Sequence, residues 1–175
     1  MDAGTQIGHM TVCRGMDLMH LKEGAFIGKG NWIYGYPTGD KTHFAFQTKR
    51  RSELCMGEQS AITSRHLIDC TNIVEIGKFT IFAGYQSQIL THSIDLEDSR
   101  QSSAPISIGS YCFIGTNSVI LGGSALPDCS VLAAKSLLTK KFDETYHLYG
   151  GVPAQPLKAL PREYQFFSRK SGFVY

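Results

Sequence analysis

The chain has 175 residues, with 17 Lys and Arg against 15 Asp and Glu and a formal charge of +2. That length suits one domain with a sizeable core, and a near-neutral balance whose densest basic run is Lys49-Arg50-Arg51 excludes a nucleic-acid footprint. No 18-residue apolar span occurs, the opening MDAGTQIGHM carries neither a basic nor an apolar leader, and the five cysteines form no C-x-x-C pair, so a soluble, cytoplasmic protein with reduced thiols and no membrane insertion is expected.

Read in chain order, aliphatic residues recur at a step of six, which is neither the helical nor the strand period. The first units are Ile7-Gly8 with Thr11, Leu21 with Ala25, and Ile27-Gly28 with Asn31. The pattern lapses between Ile33 and Met56, then resumes at Met56-Gly57, Ile62-Thr63, Ile68-Asp69 and Ile76-Gly77. It lapses again between His92 and Ile108, and runs on through Ile108, Ile114, Ile120, Leu126, Leu132 and Leu138. Four residues after the first five of these anchors stand Cys112, Ser118, Ser124, Ser130 and Ser136. Slips of two residues fall near Met19–Leu21 and Ile73–Ile76, and the repeat stops after Lys141.

A backbone that places one residue in six at equivalent points is a short extended segment followed by a turn. Three such segments close a triangular coil, and about six coils stacked at ~4.8 Å give a prism roughly 29 Å tall. The anchor points inward, the glycine behind it suits a tight corner, and the small fifth residue avoids crowding the interior. The expected architecture is all-β: a parallel β-helix over 1–158 with loop insertions near 34–55 and 93–107, and a C-terminal tail, 159–175, that folds back as loop plus a short helix from Pro161. Insertions in repeat proteins map to one face, often the binding face.

The I-G-x-x-x-x repeat, an insertion opened by a His, the stretch IGSYCFIGTNSVILGGSALPDCSVLAAKSLLTK and the closing Gly150-Gly151-Val152-Pro153-Ala154 together resemble the hexapeptide-repeat acyltransferases, which are left-handed parallel β-helix enzymes. Within them the stretch TIFAGYQSQILTHSID is most similar to the saccharide O-acetyltransferases of surface-polysaccharide synthesis. The resemblance implies an enzyme that moves an acetyl group from acetyl-CoA to a saccharide hydroxyl, works as a homotrimer with each site in a cleft between prisms, and uses no metal. N-acetylation of an amino sugar or nucleotide sugar, and a non-catalytic scaffold, are the alternatives. A zinc hydratase on the same prism would need closely spaced His ligands, such as H-x-x-x-x-H, and the sequence has no such pair.

Acyl transfer to a hydroxyl needs a base, oxyanion donors and a grip on CoA. His92 is the candidate base: it stands where the repeat has a small residue, and it opens the second insertion. Asp95 is the candidate to orient its ring, with Asp98 close by. Of the other histidines only His66 also takes a small-residue place. By resemblance, the Thr116 N–H meets the thioester oxygen. Phe113, at the place of a Trp, lies beside the pantetheine or acceptor; Ala134, Thr139, Lys140 and Lys158 carry the remaining CoA contacts. Gln155 stands where an Arg is common, and Lys135 replaces a Gly, to crowd the turn or reach a phosphate. Cys112 is placed for a covalent acyl route but occupies an inward position, so direct transfer is expected.

Overall fold

The computed structural model describes residues 1–175. Its strands assemble three parallel faces. The first holds β1 (Gln6–Ile7), β4 (Phe26–Ile27), β7 (Ala61–Ile62), β10 (Ile81–Phe82), β15 (Phe113–Ile114), β18 (Val131–Leu132) and β20 (His147–Gly151), closed by antiparallel β21 (Ala154–Ala159). The second holds β2 (Val12–Arg14), β5 (Trp32–Tyr34), β8 (Leu67–Asp69), β11 (Gln88–Leu90), β16 (Val119–Leu121) and β19 (Leu137–Leu138). On the third lie β3 (Leu18–Leu21), β6 (Glu53–Met56), β9 (Val74–Ile76), β14 (Ile106–Ile108) and β17 (Ala125–Leu126). Five coils therefore have a strand on every face, and a sixth is completed by a bridge from Lys141 to Ala125. The chain is a left-handed parallel β-helix. A separate hairpin, β12 (His92–Asp95) with β13 (Arg100–Ser103), stands off the prism.

The six-residue step maps onto this directly. Ile108, Ile114, Ile120, Leu126, Leu132 and Leu138 are all buried, and each is paired to the anchor one coil away, as Ile114 is to Leu132 and Ile120 to Leu138. The small fifth residues are buried too, and their hydroxyls cap corner carbonyls: Ser118 Oγ donates to Gly115 O (2.9 Å) and Ser60 Oγ to Gly57 O (2.7 Å). A serine there both fits and satisfies a carbonyl that the turn strands. The glycine behind the anchor serves a different purpose from the one its sequence position suggests. The left-handed residue of the corner comes two places later and is glycine at some corners, such as Gly24 and Gly123, but not at most: Asn117, Cys129 and Lys135 have φ of 58°, 54° and 56°. At Gly115 a Cβ would sit 2.4 Å from Ala134 N of the next coil, so close approach between coils is what selects glycine. Lys135 accordingly occupies its corner in place, donating its N–H to Thr116 O, with its side chain exposed.

The outer surfaces of the three faces differ. The third is polar, with His20, Glu53, Glu75 and Ser107 among its outward residues. The first carries Phe26, Ala61, Ile81, Phe113 and Val131 and lies under the C-terminal tail, where Phe166 meets Phe113 (6.2 Å, 89°) and Phe173 meets Phe26 (5.9 Å). The second carries Val12, Trp32, Leu67, Leu90, Val119, Leu121 and Leu137 with nothing of this chain over it; Trp32 is 58% exposed. The tail forms only a four-residue 3-10 turn, Gln165–Ser168, rather than a helix from Pro161. Its aromatic residues follow the flat first face, and Arg169, lying over Phe166 at 3.9 Å, ties it to the prism by donating to Phe79 O.

Truncating an anchor removes contacts to the coils on both sides. Ile114→Ala is expected to cost about 2–5 kcal/mol of folding free energy, read by denaturant unfolding; a cost under about 1 kcal/mol would be incompatible with a dry, continuous prism core.

Candidate functional site

Both insertions leave the prism at one edge, the corner between the second and third faces. The loop 35–52 follows β5, the hairpin follows β11, and between them β8 ends at Asp69. Asp69 is buried and lies one coil from Leu90 in register. Its carboxylate accepts the Thr91 N–H (2.8 Å), Thr91 hydroxyl (2.9 Å) and His92 N–H (2.9 Å) on one oxygen, and the Thr71 N–H (2.9 Å) and hydroxyl (2.6 Å) on the other. His92 Nδ1 is 2.7 Å from the first oxygen. A carboxylate can only accept, so Nδ1 carries the proton and Nε2 keeps its lone pair.

Burial alone would push the Asp69 carboxyl up. The hydrogen bonds from His92 and Thr71, with the His92 charge, outweigh it and hold the group at about 2. The same hydrogen bond raises His92 above its ordinary 6.5, burial opposes the rise, and the carboxylate's charge adds to it. The tautomer and orientation of the imidazole are thus fixed by a buried anion, a geometry compatible with a histidine–carboxylate dyad.

The orienting carboxylate is therefore Asp69. Asp95 sits at the end of β12, opposite Arg100, and its Oδ1 accepts the N–H groups of Glu97 (3.1 Å) and Asp98 (3.2 Å), which shapes the hairpin tip. Asp69 lies 23 residues before His92, and only knowledge of the coil register brings it alongside. The sequence signal was weak: Asp69 directly follows the anchor Ile68, but that column also holds Tyr34, Leu90 and Leu121, so its charge stands out only once the coil register is known.

Thr139 and Lys140 end the second face two coils beyond Leu90, on the same edge as His92. Lys140 Nζ is 3.5 Å from Gln155 Oε1. Thr116 and Ala134 occupy the other edge of the second face, stacked one coil apart, and Phe113 lies just before them on the first face. The Thr116 N–H has no acceptor in the chain, while its hydroxyl bonds to the Tyr85 backbone. Lys158 extends from β21, opposite Leu148, apart from Lys140. The expected site residues thus form two groups on two edges, separated by the width of one bare face, roughly 15–20 Å at strand rise.

His66 is a core group on the Thr116 edge. Nδ1 accepts the Ser87 N–H (3.1 Å), Nε2 is 3.0 Å from Thr63 Oγ1, and burial pushes the ring down to about 4, so it is neutral. Cys112 is buried, and burial pushes its thiol up to about 12, which leaves no thiolate for a covalent acyl route. No helix of the chain is long and apolar enough to cross a membrane.

No family model matches the chain. Among curated proteins it is similar to the bifunctional protein GlmU of Anaplasma marginale, 24% identical over 128 residues, 71% of this chain; those residues span 27% of the relative's length. Among solved structures, a hexapeptide-repeat acetyltransferase from Vibrio cholerae aligns at a TM-score of 0.58 with 21% identity over 91% of this chain and 75% of that one. The same protein complexed with acetyl coenzyme A aligns at 0.54. A maltose O-acetyltransferase from Clostridium difficile aligns at 0.53 with 15% identity over 89% and 67% of the two chains. A mutant of AntD, an N-acyltransferase from Bacillus cereus solved with dTDP and coenzyme A, aligns at 0.56 with 15% identity over 89% and 87%. What this chain shares with them at these identities is the fold.

The dyad sets a pH signature. Asp69, held below its ordinary 3.8, stabilises the fold above that value and loses its contribution as pH falls toward about 2. His92, raised above 6.5, contributes below 6.5 and loses its share as pH rises through the folded value. In Asp69→Asn the His92 ring, followed by NMR, should titrate at or below 6.5, and folding should weaken by about 3 kcal/mol. An unchanged titration would show that Asp69 does not govern the ring.

Proposed function

We propose that this chain is an acetyl-CoA-dependent sugar O-acetyltransferase of the cytoplasm that acts as a homotrimer. The observation carrying the reading is the His92–Asp69 pair at the root of both insertions. In the proposed reaction, Nε2 of His92 removes the proton of the acceptor hydroxyl as its oxygen attacks the thioester carbon. The oxygen of the tetrahedral intermediate is met by the free Thr116 N–H, and collapse breaks the C–S bond, with the imidazolium returning the proton to the departing thiolate. Asp69 stabilises the imidazolium without taking its proton.

The separation of the two edges supports the trimer. One copy cannot bring His92 and Thr116 to one thioester across the second face. Three copies that turn their bare apolar second faces toward a common axis set the His92 edge of each against the Thr116 edge of the next. Of the three faces this is the one free to do so, since the first is under the tail and the third is polar. Thr139 and Lys140 would then line the cleft from the His92 side, with Ala134 across from them; Phe113, expected beside the pantetheine, is instead covered by Phe166 of the tail on the first face. Lys158 is the candidate phosphate contact from the first-face side, a point charge on a flexible stem. The likeness of AntD keeps an amine acceptor as a second reading, since the same base serves it.

Release of free CoA thiol from acetyl-CoA, measured against sugars, nucleotide sugars and amino sugars, tests the chemistry. His92→Ala should lower kcat/KM by about 10²–10⁴; equal rates would remove His92 from the mechanism, and no turnover with any acceptor would favour the scaffold. For the assembly, Val119→Asp on the bare face should yield a folded monomer by light scattering, with turnover lost. A Val119→Asp protein that stays trimeric, or a monomer that stays active, would contradict the shared site.

A further inference from the structure

The first insertion contains an aromatic group placed against His92 that acyl transfer itself does not require. Arg50 organises it. The residue is 7% exposed; its guanidinium donates to Tyr36 O (2.6 Å), Pro37 O (2.8 Å) and Thr71 O, and lies over the Phe44 ring at 4.7 Å. All three hydrogen-bond acceptors are carbonyls. A buried cation used in this way fixes backbone, and Thr71 is the residue that also holds Asp69, so the position of Tyr36 is tied to that of the dyad. Asp17 adds a second tether, accepting the Thr38 N–H at 2.9 Å.

Tyr36 and Phe44 both stand edge-on to His92, at 6.5 Å and 79° and at 6.2 Å and 87°. Phe44 is buried behind, 5.8 Å from Tyr36, and His43 leans on Tyr36 at 5.4 Å and 37°. Tyr36 itself is 40% exposed, and its phenol has no hydrogen-bond partner in the chain. Opposite stands the hairpin, held to the same loop by Gln47, which donates to Ser103 O (2.8 Å) and accepts from Ser103 Oγ (2.6 Å), and by Arg100 stacked on Phe46 at 4.0 Å. His92 lines a hollow of about 380 Å³ at the root of the hairpin, with Leu90, Ser93, Ser102 and Ser103, within the range of small-ligand sites; the larger cleft between loop and hairpin, lined by His43, Phe44, Ile94 and Arg100, includes neither Tyr36 nor His92.

We propose that Tyr36, backed by Phe44 and His43, is the shelf on which the acceptor's sugar ring lies, presenting a hydroxyl to His92. A rigid exposed ring with an unengaged phenol matches a pyranoside, which offers a CH-lined face to the ring and a hydroxyl rim to the phenol. This assignment rests on the acyl-transfer reading and adds to it the ring form of the acceptor and the residue that positions it.

The test combines kinetics with binding. In Tyr36→Ala the acceptor KM should rise about tenfold or more, with the acetyl-CoA KM and the pH profile of kcat/KM unchanged, while Tyr36→Trp keeps the wild-type acceptor KM. Tyr36→Leu preserves bulk without a stacking face and should behave as Tyr36→Ala, with thermal unfolding of each variant checked beside it. An unchanged acceptor KM, or a fall in kcat with a displaced pH profile, overturns the proposal. Separately, saturation-transfer NMR with methyl glycosides of glucose, galactose and mannose should show binding to wild type and His92→Ala and loss in Tyr36→Ala; a panel that fails to bind wild type also overturns it. Glycoside binding that depends on Tyr36, without acetyl transfer, would sink the enzymatic reading and leave the shelf. Acetyl transfer at wild-type acceptor KM in Tyr36→Ala would do the reverse.

Discussion

Each coil must match its N–H and C=O groups to those of the coils on either side at the ~4.8 Å spacing of paired strands, as Gly115 N–H does to Leu132 O ahead and Lys135 N–H to Thr116 O behind, and the rest of the molecule follows from that. The requirement fixes every inward side chain above its counterpart, so Ile108 lies over Leu126 and Ile114 over Leu132. It forbids a Cβ wherever two corners touch, as at Gly28, where one would lie 2.2 Å from Thr63 O. It also selects serine or threonine at the fifth place, where a short hydroxyl meets a carbonyl left over by the turn. A solenoid of this kind tolerates insertion only at a corner, because a loop within a face would break the ladder on both sides.

That tolerance is what the site uses. At the edge between the second and third faces the regular corner is abandoned in two coils, and Asp69 takes over the work of satisfying its amides. Five of the hydrogen bonds it accepts come from Thr71, Thr91 and the His92 backbone, groups that the coil itself would otherwise leave without partners. The sixth partner is the His92 ring. Structural closure of the corner and orientation of the His92 ring are thus one set of contacts, and the anion is kept ionised by the same donors that hold the insertion roots in place. The first insertion then folds over this corner around Arg50, so the aromatic wall beside His92 is referenced to the same carboxylate through Thr71.

Much of this was legible in the sequence. The six-residue step identifies the prism, its lapses locate both insertions, and the substitution of His92 for a small residue marks the edge where both insertions are rooted. The orienting carboxylate was harder to see because proximity in a β-helix runs along the coil axis: Asp69 is distant in sequence and adjacent in space, whereas Asp95 is near in sequence and turned into a hairpin tip. Phe113 shows a second limit. Its alternation marks it as outward-facing, but its packing against Phe166 is decided by a tail that carries no repeat. The corner glycines show a third, since their composition is the same whether a turn or an approaching coil selects them, and only coordinates separate the two.

The two edges of the bare face, His92 with Asp69 on one and the free Thr116 N–H on the other, gain a common purpose only if neighbouring copies bring them together. A crystal structure of the protein grown with CoA measures this most directly. The expected result is three copies around one axis, with the CoA sulfur between His92 Nε2 of one copy and the Thr116 N–H of the next. CoA bound away from that junction, or a second face left open to solvent in the assembled protein, would contradict it.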